Sequence, residues 1–567
     1  MLHKLQNIKI SNVPTWIWIL LPSLLFWMAW FPKPFTPLLF VSFLPMLALA
    51  NRFYKEKRWK FYGSIFLALL GWNITTTWWV YYASSYGVIF MLTLNALFML
   101  VPFWIYRVAL KKTSYLWAFA AFSVAWMLYE YGHHRWDLSW PWLCLGNGFS
   151  GWLSFIQWYE FTGTLGGTAL VLYMNFWIFN WFKDLENSEV NVPQKEEKNQ
   201  RFFHGVHRNI KIALLCFVAL YAVSLLLIFS VNVKEGKAVK VAVLQPSFDP
   251  WTEKFVRDPM SMEDEMIDLS LQTIDSSVEW LLWPETSLVD AVNLKFVEND
   301  YQIQRLKFAY LLSKSPQLQG REAPVKLRRW GQNLQILSGV NGVNYYISDE
   351  KPTKTARKLK YEAKGWYDHY NSAIWLDSGN RPKFYHKSKL VPGTEQMPFI
   401  HYLPFLESLA LQLDENSTTG SLAKNDSVDI LGRGEKVAPI ICYESIYGDL
   451  VREFVNKGAG WIGVVTNDAW WRETAGYQQH YSYSRLRAIE TRKWVARSAN
   501  TGTSGFIDPT GQEYQHSDWF KKVCLTQTIY SNHSITVYTR IGDLGVLFLL
   551  GMIIICLTYY QERKRIA

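Results

Sequence analysis

The chain has 567 residues, of which 50% are apolar, 17% aromatic and 19% charged, with a formal net charge of +11. The charge is unevenly spread: residues 1–233 hold 18 Lys/Arg and 9 Asp/Glu, and the remaining 334 hold 40 and 38. This excludes a uniform soluble globule, a disordered chain and a collagen-like fibre, and points to a membrane part followed by an ordinary globular part.

Apolar runs suited to crossing roughly 30 Å of hydrocarbon need about 17–25 residues. They lie near 14–31, 35–50, 62–81, 87–106, 114–131, 162–182 and 212–231, with an eighth at 541–560. Phe31-Pro32-Lys33-Pro34 reads as a tight turn between the first two. No small-residue cleavage site follows the first run, which argues against a removed signal peptide. Connections 51–61, 107–113 and 183–211 carry fourteen Lys/Arg, whereas the alternate ones carry only Lys33 and Arg135. Together with Lys4, Lys9 and Arg563-Lys564-Arg565, this bias predicts cytoplasmic termini and an outer domain between the last two spans. The basic charge is then a topology signal, not a nucleic-acid footprint. The outer loop 132–161, rich in Trp and Gly, reads as an interfacial belt or as a re-entrant segment lining a lipid entrance. The division is 1–233 membrane domain, 234–540 outer domain, and 541–567 final span and tail.

Within 234–540, strand-like runs recur at 239–244, 280–283, 334–338, 373–376, 437–442, 461–466 and 494–498. Helix-like segments fall near 260–275, 301–314, 446–457 and 476–492, and this alternation predicts an α/β layered domain. The basic stretch 320–330 reads as a solvated loop, and His480 as a hydrogen-bonded structural residue. With no suitable GxGxxG, Walker, CxxC or HExxH pattern, neither a cofactor nor a metal is expected.

Of the five cysteines, Cys216 and Cys556 fall within spans and read as core fillers. Cys442 and Cys524 share the outer domain, where a disulfide between them is one reading. The other is that Cys442 is a free nucleophile: it ends the run VAPII and precedes Tyr443-Glu444-Ser445-Ile446, a strand-to-helix turn that exposes a side chain above a sheet. A thiol needs a nearby cation or base to ionise, and Lys387 in YHKSKLVPGTEQMPF and Glu285 in LLWPETS are the candidates.

These segments together resemble the nitrilase, or carbon–nitrogen hydrolase, superfamily, whose Glu–Lys–Cys triad occurs in this chain order on an αββα sandwich. The membrane frame makes the chain similar to the apolipoprotein N-acyltransferase family. The resemblance implies a multi-span α-helical membrane domain of about eight helices carrying an outer αββα domain. It implies Glu285 as base, Lys387 as oxyanion-stabilising cation and Cys442 as nucleophile. Glu395, Tyr443, Glu444 and Trp251 match supporting residues, and segments 467–470 and 500–505 match loops around the site. It implies, too, a phospholipid acyl donor, a diacylglyceryl apolipoprotein acceptor and an inner-membrane location with the catalytic domain in the periplasm of a Gram-negative bacterium. For the base role, burial and Glu395 are expected to push the Glu285 pKa toward the working pH. The chain departs from the family at Lys389, Gly393-Thr394 and Trp471-Arg472-Glu473. Two rival readings are a membrane-anchored amidase acting on a small amide and a transporter with an outer binding domain. Only Glu130 and Glu160, at span edges, support the transporter.

Overall fold

The computed structural model describes residues 13–30, 35–190, 214–307, 309, 333–347, 350–359, 365–379, 381–399, 421–425 and 427–566. The 31–34 turn, the basic residues of 191–211, Lys4, Lys9 and the 320–330 stretch lie outside the described residues.

The first region is helical: Thr15–Trp30, Leu44–Phe53, Arg58–Thr77, Gly87–Lys112, Tyr115–His133, Tyr159–Val190 and Leu214–Ser230. The last helix is Val537–Ile566. Among the described residues, Thr36–Phe53, Gly87–Lys112 and Val537–Lys564 are long and apolar enough to cross a membrane; Thr15–Trp30 and Leu214–Ser230 are apolar but shorter. The second of the expected runs is broken, beginning as the 3₁₀ turn Thr36–Phe40. Buried Asn175 mends that break: its amide donates to Leu39 O at 2.7 Å and its oxygen accepts from Phe43 N at 2.8 Å. Rings fill the rest of the core: Phe26 stacks on Trp72 at 3.9 Å, and Phe119 on Phe176 at 3.7 Å. Cys216 and Cys556, read as core fillers, are exposed on their helices instead, because the inward positions go to larger aromatic and aliphatic side chains.

Strands between Lys237 and Ser531 form a two-sheet sandwich. One sheet runs β13 (Val523–Ser531), β1 (Lys237–Gln245), β2 (Trp280–Leu282), β4 (Gln335–Ile347), β6 (Gly365–Leu376), β5 (Arg357–Lys358). Here β3 (Leu288–Asn293) pairs with β4, and β7 (Lys383–His386) with β6. The other runs β12 (Glu513–Tyr514), β11 (Gly505–Ile507), β10 (Val495–Ala499), β9 (Trp461–Thr466), β8 (Val437–Ile441). Side chains alternate between layers. Trp280 and Leu282 face the opposite sheet, with Trp280 edge-on to Trp461 at 5.3 Å. Leu281 and Trp283 face outward onto Met262 and Met266 of the helix Pro259–Thr273. Helices Gly448–Asn456 and Ala475–Thr491 cover the second sheet. The αββα layering follows from strands buried on both faces.

Helices and sandwich meet on the 132–161 loop. It folds into the 3₁₀ turns Pro141–Leu143, Leu145–Gly151 and Leu153–Phe155, and residues 139–150 are all buried. Instead of an exposed aromatic belt, this segment is an internal floor wedged beneath the sandwich. Glu130 supports it, accepting from Leu145 N at 2.8 Å, Thr168 Oγ1 at 2.6 Å and Trp126 Nε1 at 3.0 Å. Glu160 pairs with Arg492 at 2.6 Å. Both acidic residues that favoured a transporter are therefore engaged in structure: Glu130 within the helical region, and Glu160 in joining it to the sandwich.

Candidate active site

Glu285, Lys387 and Cys442 each follow the C-terminal end of a strand: β2, β7 and β8. The Glu285 turn is pressed onto β4. Gly339 N donates to Pro284 O at 3.1 Å, and Ser287 N to Gly339 O at 3.0 Å. A Cβ at Gly339 would lie 2.4 Å from Thr286 N, so only glycine permits this approach. Thr286 and Cys442 both adopt left-handed backbone, with φ of 49° and 50°. Two such non-glycine residues at one site are strained conformations of the kind found at nucleophile turns. Cys442 opens a short 3₁₀ turn, Cys442–Ile446, before the Gly448–Asn456 helix begins.

The side chains converge. Lys387 Nζ lies 3.2 Å from Glu285 Oε1 and 2.8 Å from Glu395 Oε1. Asn371, in mid-β6, donates its amide to both carboxylates, at 2.7 Å to Glu285 and 2.9 Å to Glu395. Glu395 Oε2 accepts from Val391 N at 2.8 Å. The Cys442 thiol sits beside Glu285 and Lys387, with the Thr466 hydroxyl in hydrogen-bond reach. Both Cys442 and Cys524 are free thiols, which removes the disulfide reading.

Burial penalises every charge here, and the partners decide the outcome. Burial would push the Glu285 carboxyl up, but Lys387, Asn371 and Lys254 outweigh it and hold the group below the ordinary glutamate range. The expectation of a raised base is thus corrected: Glu285 faces cations, and Glu395 is itself neutralised by Lys387. Burial would push the Lys387 ammonium down, yet Glu395 and Glu285 hold it above the ordinary lysine range. Burial first, and the Glu285 carboxylate second, push the Cys442 thiol well up against the pull of Lys387. At neutral pH the site is an ionised carboxylate, an ammonium and a protonated thiol. That set can pass a proton from sulfur to carboxylate and hold a negative oxygen, which is the equipment of nucleophilic acyl transfer.

Glu444 clamps the nucleophile turn to the Lys387 loop. Its Oε1 accepts from Tyr385 Oη at 2.6 Å, Ser388 N at 2.7 Å and Ser388 Oγ at 3.0 Å, and its Oε2 from Ile441 N at 2.9 Å. Tyr443 reaches the floor, its hydroxyl donating to Ser139 O at 2.8 Å and its ring stacking near Trp140 at 6.2 Å. Lys389 donates to His134 O at 3.1 Å, joining the floor to the same loop. Behind the nucleophile, His480 Nε2 lies 3.1 Å from Cys442 O and 2.9 Å from Ser445 Oγ. His480 Nδ1 is 2.8 Å from Asp468 Oδ1, and Arg497 donates to Asp468 Oδ2 at 2.8 Å. The Asn500 amide donates to Asn467 Oδ1 at 3.1 Å, tying the two flanking loops together.

Trp251 stands apart. It is 46% exposed on the outer rim, edge-on to Trp470 at 5.1 Å, and makes no hydrogen bond to the converging side chains. Three participants escaped sequence reading: Asn371, Lys254 and Thr466. Lys254 had a signal, three residues after Trp251 in PWTEKF, and Thr466 ends β9 directly before the 467–470 segment; Asn371 sits inside β6 with no motif around it.

Residues 23–177 match the apolipoprotein N-acyltransferase N-terminal domain family, and residues 354–533 match the carbon-nitrogen hydrolase family. An apolipoprotein N-acyltransferase of Chlorobaculum tepidum is 27% identical over 93% of this chain and 92% of its own. One from Geobacter metallireducens is 24% identical over 90% of this chain and 89% of its own. One from Rickettsia prowazekii is 26% identical over 77% of this chain and 75% of its own. Along most of its length the chain is thus similar to apolipoprotein N-acyltransferases, with a carbon-nitrogen hydrolase match over residues 354–533.

Proposed function

We propose that this chain moves an acyl chain from a membrane phospholipid, through a thioester on Cys442, to the N-terminal amine of diacylglyceryl-cysteine on an apolipoprotein. The observation that carries the reading is the buried Glu285–Lys387–Cys442 cluster directly above a floor built by the helical region. In the first half, the Cys442 proton passes to Glu285 as sulfur attacks the ester carbonyl. Lys387 holds the oxyanion. Collapse expels the lysophospholipid alkoxide, which takes the proton back from Glu285, and a thioester remains. In the second half, the lipoprotein amine attacks the thioester, and Glu285 accepts its proton and returns it to the departing sulfur. The Asn371 amide oxygen, buried and without a partner among the described residues, can accept a hydrogen bond from that amine.

Eight crossings, with the sandwich on the periplasmic side of the inner membrane, complete the arrangement. Both substrates are held in the bilayer by acyl chains, each buried CH₂ contributing about 0.8 kcal/mol. A site resting on the helices therefore meets ester and amine at the outer leaflet without extracting either. Exposed Trp251, Phe255 and Val256 form an apolar rim suited to acyl chains.

The test is to incubate purified protein with phosphatidylethanolamine and a diacylglyceryl-cysteine peptide. Equal yields of N-acyl peptide and lysophospholipid are expected. Release of free fatty acid in place of N-acyl peptide would return the amidase reading.

A further inference from the structure

One buried cation at this site has no part in the steps above. Lys254 is 2% exposed, and its ammonium donates to the Glu285 main-chain carbonyl at 2.7 Å, its one hydrogen-bond partner among the described residues. Its loop is wound to send it inward. Asp249 Oδ1 accepts from Trp251 N at 2.7 Å and Thr252 N at 3.0 Å, while Lys254 N donates to Asp249 O at 2.8 Å. Glu253 Oε2 accepts from Asp249 N at 3.0 Å and its Oε1 pairs with Arg257 at 3.7 Å, so neither of these charges is directed at the ammonium. The other walls beside Lys254 are Phe248, Met262, Met266, Val289, Ser287 and Asn500, none of them ionisable.

An ammonium buried against a single neutral carbonyl is costly unless nearby charge compensates it. The titratable groups facing it are the Glu285 carboxylate from the end of β2 and the neutral Cys442 thiol from the end of β8, with Lys387 and Glu395 beyond Glu285. Without Lys254, two carboxylates face one cation, and the dry cluster carries a net negative charge. With it, the cluster is neutral.

We propose that Lys254 is a positioning residue that completes this balance, fixing the Glu285 turn through its carbonyl and supplying the second positive charge. The S–H bond of Cys442 then breaks and an O–H bond forms on Glu285 with the cluster neutral before and after. Each thiolate or oxyanion formed faces two cations against one remaining carboxylate. Burial pulls the Lys254 ammonium down to about 8, against the opposing pull of Glu285 and Cys442, so its charge is lost within an accessible pH range.

This inference rests on Cys442 being the nucleophile, and the experiment separates the two. Full-length protein in detergent is treated with iodoacetamide from pH 5 to 9.5, and the Cys442 peptide is followed by mass spectrometry. Wild type is compared with Lys254→Met and with Lys254→Gln, which retains a donor for the Glu285 carbonyl and guards against misfolding. In wild type the rate should bend downward near pH 8 as Lys254 loses its charge. Both variants should react about tenfold more slowly at pH 7, the effect of one pKa unit, and should lack the bend. A purely structural lysine would lower the melting temperature and leave the bend in place, which would overturn the proposal. So would wild-type behaviour of Lys254→Gln, since the hydrogen bond without the charge would then suffice. If wild-type Cys442 reacts no faster than buried Cys524 at any pH, the nucleophile reading fails and this inference falls with it.

Discussion

The helical region and the two-sheet sandwich are held together by different physics. Before residue 233, Arg107 and Glu130 are the only buried Lys, Arg, Asp or Glu among the described residues, and the core is rings on rings. The sandwich buries Lys254, Glu285, Lys387, Glu444, Asp468, Arg487, Glu490 and Arg497, most of them around Cys442 or on the helix behind it. Where water is absent and no chemistry is done, shape alone suffices. Where a proton must move, charge is buried at a cost that only matched partners offset. The floor loop mediates between the two, presenting backbone oxygens of Ser139 and His134 to Tyr443 and Lys389.

Substitutions can break this contrast. Cys442→Ala should reduce acyl transfer at least about 10⁴-fold, since no other nucleophile can form the thioester, with the melting temperature preserved; residual transfer near wild type would show the sulfur to be dispensable. Trp72→Ala, in the ring core, should do the converse. About 3–5 kcal/mol of stability is lost, read by thermal melting, while transfer per folded molecule stays near wild type. Glu285→Gln and Lys387→Met should each cost about 10²–10³ in rate, with the thioester never accumulating.

Acid titration sharpens the comparison further. The folded Glu285 pKa lies below its ordinary value of 4.5. Its pairing therefore contributes stability that is fully present above that value and is lost as pH falls through the depressed one. The melting temperature should hold from pH 7 to 5 and fall below about 4, and Glu285→Gln should flatten that fall. An activity loss with a midpoint near pH 6 in wild type would contradict the depressed carboxyl. The smallest effect is expected of Tyr443→Phe, which removes one hydrogen bond to the floor. About 1 kcal/mol and a few-fold in rate should be lost.

What was legible in the sequence was what sits in short contiguous signals. Glu285, Lys387 and Cys442 each end a strand inside a recognisable segment, so their convergence could be expected before any coordinates. The helix Gly448–Asn456 falls within the predicted 446–457 segment, and Gly458, at φ of 100°, lies just past its end. Illegible were features made by distant pairing. Strand β13 lies alongside β1 across some 280 residues of chain, from Lys237↔Ser531 to Gln245↔Val523. Asn371 reads as one polar residue in a strand, and becomes a bridge between carboxylates only when β6 and the 391–396 turn meet. The floor loop was misjudged because Trp and Gly signal an interface equally well whether its other side is lipid or protein. The Glu285 pKa was misjudged because Lys387 outweighs burial with the help of Asn371 and Lys254, neither of which was visible as a neighbour.

The most direct measurement is intact-protein mass spectrometry after incubation with phosphatidylethanolamine, for wild type and Cys442→Ala side by side. The expected result is a gain of one acyl mass on wild type only, removed by hydroxylamine and discharged by a diacylglyceryl peptide amine faster than by water. An equal adduct on Cys442→Ala, or none on folded wild type with its thiol free, would contradict a cysteine thioester as the centre of this enzyme.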